Sequence, residues 1–247
     1  MTQEELLAEE LQSLQEGGYT PLMQAVHRHE RDQVEHLLLG GANVNAVGRK
    51  GLTALILSVT KGNSDITRLL LEFGADTSAT DMRGKTALHH AVRAGDEATV
   101  EAVLEHGAYP NVVAGTGATP LIYTVLDRRW DIMAILLRWS ALVDVPERQH
   151  TRSALSTAVT GYDPQGLRLA SLPALLAAGA NPCLRDAWGR TASQRLIIRY
   201  EEIKSTAPPK FKGKTNRSEL WYEREERYAQ AVKLLQQAEQ KHVEPKK

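Results

Sequence analysis

The word GYTPLMQAV opens at Gly18 and returns as GLTALILSV at Gly51, GKTALHHAV at Gly84 and GATPLIYTV at Gly117, a constant step of 33 residues. A second word keeps the same step: GGANVNA at Gly40, FGADTSA at Phe73, HGAYPNV at His106 and WSALVDV at Trp139. Two independent words locked to one period specify an array of repeats. A fifth copy is looser. RSALSTAV begins at Arg152 and AGANPCL at Ala178, with extra residues around GYDPQGLRLA lengthening the interval. A sixth half-copy, GRTASQRLI from Gly189, has the first word without the second.

Each unit reads as two short helices and a projecting loop. Thr20-Pro21 and Thr119-Pro120 place a capping hydroxyl before a proline, whose missing N–H costs nothing in a first helical turn. Leu22, Ala25 and Val26, or Leu88, Ala91 and Val92, then form a narrow apolar stripe. A second helix carries Val34, Leu37 and Leu38, or Ile66, Leu69, Leu70 and Leu71. It stops at a glycine, Gly41, Gly74, Gly107 or Gly179, suited to a left-handed C-cap. The polar stretch up to Gly51 or Gly84 predicts a hairpin-like finger. One such helix pair cannot bury its apolar face alone, so stability has to come from stacked neighbours.

These words and their step resemble the ankyrin repeat family over residues 18–203, as five repeats plus a half-repeat. The fold the resemblance implies is an all-α, ankyrin-type helical solenoid with hairpin-like finger loops and helical caps. There are departures. The family's histidine after the leucine survives as His89, with Met23, Ile56, Ile122 and Ser156 in its place elsewhere. The family's glycine becomes Ser140 in the fourth copy and Thr151 in the fifth.

The flanks complete a four-part organisation. Residues 1–17 predict an N-terminal capping helix, with Thr2 and Glu5 as a capping box and Leu6, Leu7, Leu11 and Leu14 on one face. Residues 204–217, with Pro208-Pro209 and Gly213, read as a basic linker. Residues 218–247 read as a C-terminal helix and tail. Trp221, Tyr228, Val232 and Leu235 would close the last half-repeat, or alternatively dock the chain on a larger assembly as an obligate subunit. The EREER run at 223–227 reads as a solvated face.

Composition narrows the function classes. Among 247 residues, 30 basic side chains balance 30 acidic ones, so no global charge draws the chain to nucleic acid or membrane. Cys183 is the single cysteine, which excludes a disulfide framework and a multi-cysteine metal site and predicts a reducing compartment. The acidic N-terminal segment lacks the order of a signal peptide, and no apolar run is long enough to span a bilayer. A cytoplasmic or nuclear protein is expected, monomeric apart from its partner.

In the ankyrin family the finger tips and the exposed end of each first helix line the binding surface. Carried onto this sequence, that surface holds Arg28, Arg49, Lys50, Lys61, Arg83, Lys85 and Arg93, with Glu16 the only acid among them in the first three repeats. Later copies add Arg152 and Arg190, opposed by Asp127. The second helices carry Asp32, Glu35, Asp65, Glu72, Glu97, Glu101 and Glu105. The expectation is a basic groove for an acidic or phosphorylated protein partner, in which the charges speed encounter and fix register. Trp139 and Trp188 fall at finger-proximal positions, as binding anchors or as packing between fingers. The insertion Gly161–Gly166 is a second contact or tolerated length.

Catalytic and cofactor chemistry has no clear carrier. His27-x-His29 and His89-His90 lack the company of a metal site. Cys183 lies in a GANPC turn with no activating neighbour in sequence. Gly115-Thr116-Gly117 follows no strand and no lysine follows it, so it is no phosphate loop. No recognition helix or stacking-aromatic module favours nucleic acid, and Lys210, Lys212 and Lys214 read as loop residues. No catalytic residue, metal or cofactor is assigned; an active site in the cleft or at the fifth repeat is the rival reading. Asn45 and Asn111 stand where the family's asparagines are sometimes hydroxylated.

Overall fold

The computed structural model describes residues 18–146, 153–160, 165–205 and 216–243. The expected N-terminal cap, Arg152, Gly161–Pro164 and most of the linker lie outside the described residues. Twelve α-helices are described: α1 Pro21–His27, α2 Arg31–Leu39, α3 Ala54–Thr60, α4 Ser64–Glu72, α5 Ala87–Ala94, α6 Glu97–Glu105, α7 Pro120–Asp127, α8 Trp130–Arg138, α9 Ala154–Val159, α10 Leu172–Ala177, α11 Ala192–Ser205 and α12 Asn216–Val243. No strand occurs among the described residues. Contacts divide them into two compact units, the first running to Tyr123 and including Asp131–Ala141, the second made of Thr124–Trp130 and the residues from Leu142 onward.

In the first unit the helices stack in register. α1, α3 and α5 pack on one another in turn, as do α2, α4 and α6 behind them. Every first helix starts at a hydroxyl: Thr20 and Thr53 each accept the N–H three residues on, both at 3.2 Å. Thr86 does so within a capping box whose other half is His89. The apolar columns repeat at the same step, with Leu22, Leu55, Leu88 and Leu121 all 1% exposed or less. One repeat places hydroxyls in this core. Ser58 and Thr67, both buried, pair at 2.8 Å. Each also has a backbone carbonyl in reach, Leu55 O at 2.9 Å for Ser58 and Asn63 O at 2.8 Å for Thr67, so both buried hydroxyls are satisfied.

The fingers are closed by one repeated bond. Gly48 N–H donates to Leu52 O (2.8 Å), Asp81 to Lys85 (2.9 Å) and Ala114 to Ala118 (3.0 Å). Neighbouring fingers are tied by Met82 N–H to Lys50 O (2.9 Å) and Gly115 N–H to Arg83 O (2.8 Å). Asn45 bridges to the following repeat with both ends of its amide, donating to Gly74 O (3.3 Å) and accepting from Asp76 N–H (2.7 Å). Gly84 is where this ladder leaves no space: its φ is +67°, and a Cβ there would lie 2.6 Å from the Gly115 nitrogen. Gly84→Ala is expected to destabilise the protein by about 1–3 kcal/mol through backbone strain alone, before the clash is added. Thermal denaturation checks it. Ser140, in the slot where the other copies have glycine, still adopts a left-handed φ of 60°.

The second unit is also helical. α9 packs on α10, on α11 and on a 3-10 turn at Leu167–Ser171. α12 lies against α11, α10 and that turn, burying Tyr228, Ala231 and Leu235. In the run at 223–227, expected as a solvated face, Glu223, Glu226 and Arg227 are exposed, while Arg224 and Glu225 are part-buried. Glu225 accepts from the Tyr200 hydroxyl at 2.8 Å, and Arg227 donates to Gln165 O at 3.1 Å.

Candidate functional site

The first unit presents two rows of cations. Arg49 and Lys50 stand on a 3-10 turn at the tip of one finger, and Arg83 on the next; all three are exposed. Arg28 and Lys61 are the C-cap residues of α1 and α3, and Arg93 sits in the last turn of α5; these too are exposed. A first helix of seven or eight residues separates the rows by about 10–12 Å at 1.5 Å per residue. The side chains of Arg28, Arg49, Lys50, Lys61 and Arg83 form no ion pair among the described residues. Two apolar side chains, Val47 (59% exposed) and Met82 (71%), stand beside the finger cations.

Lys85 does not belong to this surface. It is only 6% exposed, and its ammonium lies 4.7 Å from the centre of the Tyr123 ring. The expectation that it faces a partner is therefore corrected: a side chain from the following repeat covers it, and a cation–π contact holds it. The charge sorting is also less complete than the acid positions suggested. Arg31 pairs with Glu35 at 3.0 Å and Arg138 with Glu101 at 2.7 Å, so the second-helix side is mixed.

Beside Lys85 lies a polar cluster of Asp81, His89 and His90. Asp81 accepts the backbone N–H groups of Arg83 (2.8 Å) and Lys85 (2.9 Å), and its other oxygen lies 3.0 Å from Nε2 of His90. Burial raises the Asp81 pKa, but these N–H groups and His90 outweigh it and hold the carboxyl below its usual value. His90 is pushed down by burial against the pull of Asp81. His89 is fully buried, with Nδ1 at the Thr86 N–H (3.2 Å), Nε2 at Ala118 O (3.3 Å) and its ring edge-on to Tyr123. Burial lowers its pKa to about 4. The cluster organises a finger and a helix start. Its signal was in the sequence: DMRGKT at Asp81 recurs as DAWGRT at Asp186.

The other candidates are scattered. Trp139 follows α8 and is 39% exposed. In the second unit Arg190 is exposed, and Trp188 is 56% exposed with the Arg195 guanidinium 4.5 Å from its ring centre. Arg152 lies outside the described residues. Cys183 is part-buried in a turn where its N–H donates to the Asn181 side chain at 2.9 Å. Among the described residues no group of three or more His, Cys, Asp or Glu is placed to hold a metal ion, and no helix is long and apolar enough to cross a membrane.

No curated protein matches this sequence significantly. The family model for ankyrin repeats does match, in three copies, over residues 22–114. That span covers the three helix pairs whose capping threonines, left-handed glycines and finger ladder repeat most regularly. Over residues 22–114, then, the chain is a run of ankyrin repeats.

Proposed function

We propose that the protein is an interaction module that grips an acidic segment of another protein between the two cation rows of its first unit. Ankyrin repeats generally mediate protein–protein interaction, and the family is typically non-enzymatic. The observation that carries the finer reading is the set of five exposed cations, Arg28, Arg49, Lys50, Lys61 and Arg83, without ion-pair partners among the described residues. Exposed charge of one sign raises the encounter rate of an oppositely charged partner. Val47 and Met82 add apolar contact at the finger tips, so an acidic segment with interspersed apolar side chains fits best. In this reading α12 serves its own unit as a cap, and Cys183 and His89 are structural.

Charge reversal tests it. The variant is Arg49→Glu, Lys50→Glu, Lys61→Glu and Arg83→Glu together; Lys85 is left intact because a buried reversal would unfold the site instead of probing it. A partner recovered with the full chain from its native source is titrated against wild type and variant. Association at low salt is expected to slow by about 10-fold or more, with the difference shrinking at high salt. Equal affinity at both salt concentrations would end the proposal.

A further inference from the structure

The second unit holds a separate cluster of guanidinium groups. Arg190, at the base of a finger, and Arg195 and Arg199, four residues apart on α11, line one cavity of about 260 Å³ together with Thr160 and Glu202. Side chains four apart share a helix face, where like charges repel unless an anion answers them. Inside the protein Arg195 is answered by a buried carboxylate. The Asp186 carboxylate, with a wholly buried side chain, pairs with its Nε and accepts the N–H groups of Trp188 (2.9 Å) and Arg190 (3.2 Å). This pairing and the Trp188 ring beneath fix the plane of the Arg195 guanidinium. Its Nη groups make no hydrogen bond among the described residues.

Arg199 donates a hydrogen bond to the hydroxyl of the buried Tyr228 on α12 and forms an ion pair at the surface. Its carboxylate partner is Glu202, three residues on at 3.1 Å, and Glu202 is 59% exposed. Such surface pairs contribute little and yield to a stronger anion. The Arg190 side chain has no hydrogen bond or ion pair among the described residues. The cavity is smaller than the roughly 300–1,000 Å³ of pockets that enclose whole small molecules, so it suits one anionic group.

We infer that this pocket receives the phosphoryl group of a phosphorylated peptide side chain, bound by Arg190, Arg195 and Arg199. A phosphomonoester brings nearly two negative charges and three acceptor oxygens to a forked set of donors, and a carboxylate brings one charge and two oxygens. Trp188, 56% exposed, offers apolar surface to the neighbouring peptide residue. This site is independent of the cation rows of the first unit.

The test is isothermal titration of the full chain with three probes: a short neutral peptide bearing one phosphoserine, its unphosphorylated twin, and inorganic phosphate. Saturable binding of the phosphopeptide is expected, weaker binding of inorganic phosphate, and none of the twin. Arg190→Ala and Arg199→Ala each weaken the phosphopeptide by about 10–100-fold, the loss of a charge-assisted hydrogen bond. Arg190→Lys falls between, since lysine keeps the charge but not the fork. Arg190→Ala leaves the melting temperature unchanged, so it stays informative even if Arg199→Ala disturbs α12. Absence of phosphopeptide binding, wild-type affinity in Arg190→Ala, or equal affinity for the twin would overturn the site. Equal affinity for inorganic phosphate would overturn the peptide as its source. The four-site charge reversal of the first unit keeps phosphopeptide affinity, which separates the two proposals.

Discussion

Leu88→Ala is expected to destabilise the protein by about 2–5 kcal/mol, the cost of removing a buried leucine side chain and leaving a cavity. Leu88 is 0% exposed and lies in the column Leu22, Leu55, Leu88 and Leu121, with equivalent side chains before and after it. α5, which carries it, packs on both α3 and α6, so a void there loosens two interfaces. In a stack where each repeat contacts only its neighbours, stability is close to a sum of such interfaces. The loss would be a large share of the roughly 5–15 kcal/mol that holds a folded domain. Urea denaturation followed by circular dichroism measures it. Leu39→Ala is the control, since Leu39 is 72% exposed and its truncation should be near neutral. A Leu88→Ala loss below about 1 kcal/mol, under the range for such truncations, would mean that the repeats do not stack as described.

The second large effect is a dependence on pH. His89 titrates at about 4 in the folded protein against an ordinary 6.5. Above pH 6.5 the ring is neutral whether the chain is folded or not, and it contributes no slope. As the pH falls below 6.5 the unfolded chain takes up a proton that the buried ring refuses, so stability declines until the folded ring also titrates near 4. The whole interval is worth about 3 kcal/mol, at 1.36 kcal/mol for each pKa unit. Asp81 acts in a different window: its lowered carboxyl pKa supplies stability above its unfolded value of 3.8 that is lost only at lower pH. Measurements between pH 7.5 and 4.5 therefore leave Asp81 out and report His89 together with His90, whose pKa is also lowered by burial.

The chain itself supplies the test substitution. Gln194 occupies the corresponding place in the first turn of α11, where its side-chain oxygen accepts the Thr191 N–H at 3.0 Å. His89→Gln should keep the start of α5 and remove the titrating ring. Stability at pH 7.5 should fall by about 1 kcal/mol for the lost bond to Ala118 O. The decline toward pH 4.5 should flatten by most of the ~3 kcal/mol. His90 is present in both proteins and cancels from the comparison. An unaltered pH slope in the variant would show that the His89 environment is not what sets it.

Much of this protein was legible in the sequence because its decisive interactions are local or periodic. A threonine caps the N–H three residues on, a glycine takes the left-handed turn after a helix, and leucines 33 apart fall into one column; none of these needs knowledge of distant chain. The finger that carries Arg49 and Lys50 could be placed for the same reason. What stayed hidden depends on which side chain arrives from the next repeat. Lys85 reads as a surface cation like Lys50, yet Tyr123, 38 residues later, covers it. The acids of the second helices read as one charged face, until Arg138 reaches back to Glu101. Nothing in the periodic pattern singles out Arg195 and Arg199; Asp186 and Trp188 fix one of them and leave a cavity beside Arg190. The sequence alone determined the period, the caps and the apolar columns. Tertiary structure alone decided which charges remain free to meet a partner, because the exposure of a long polar side chain is set by neighbours that chain order does not reveal.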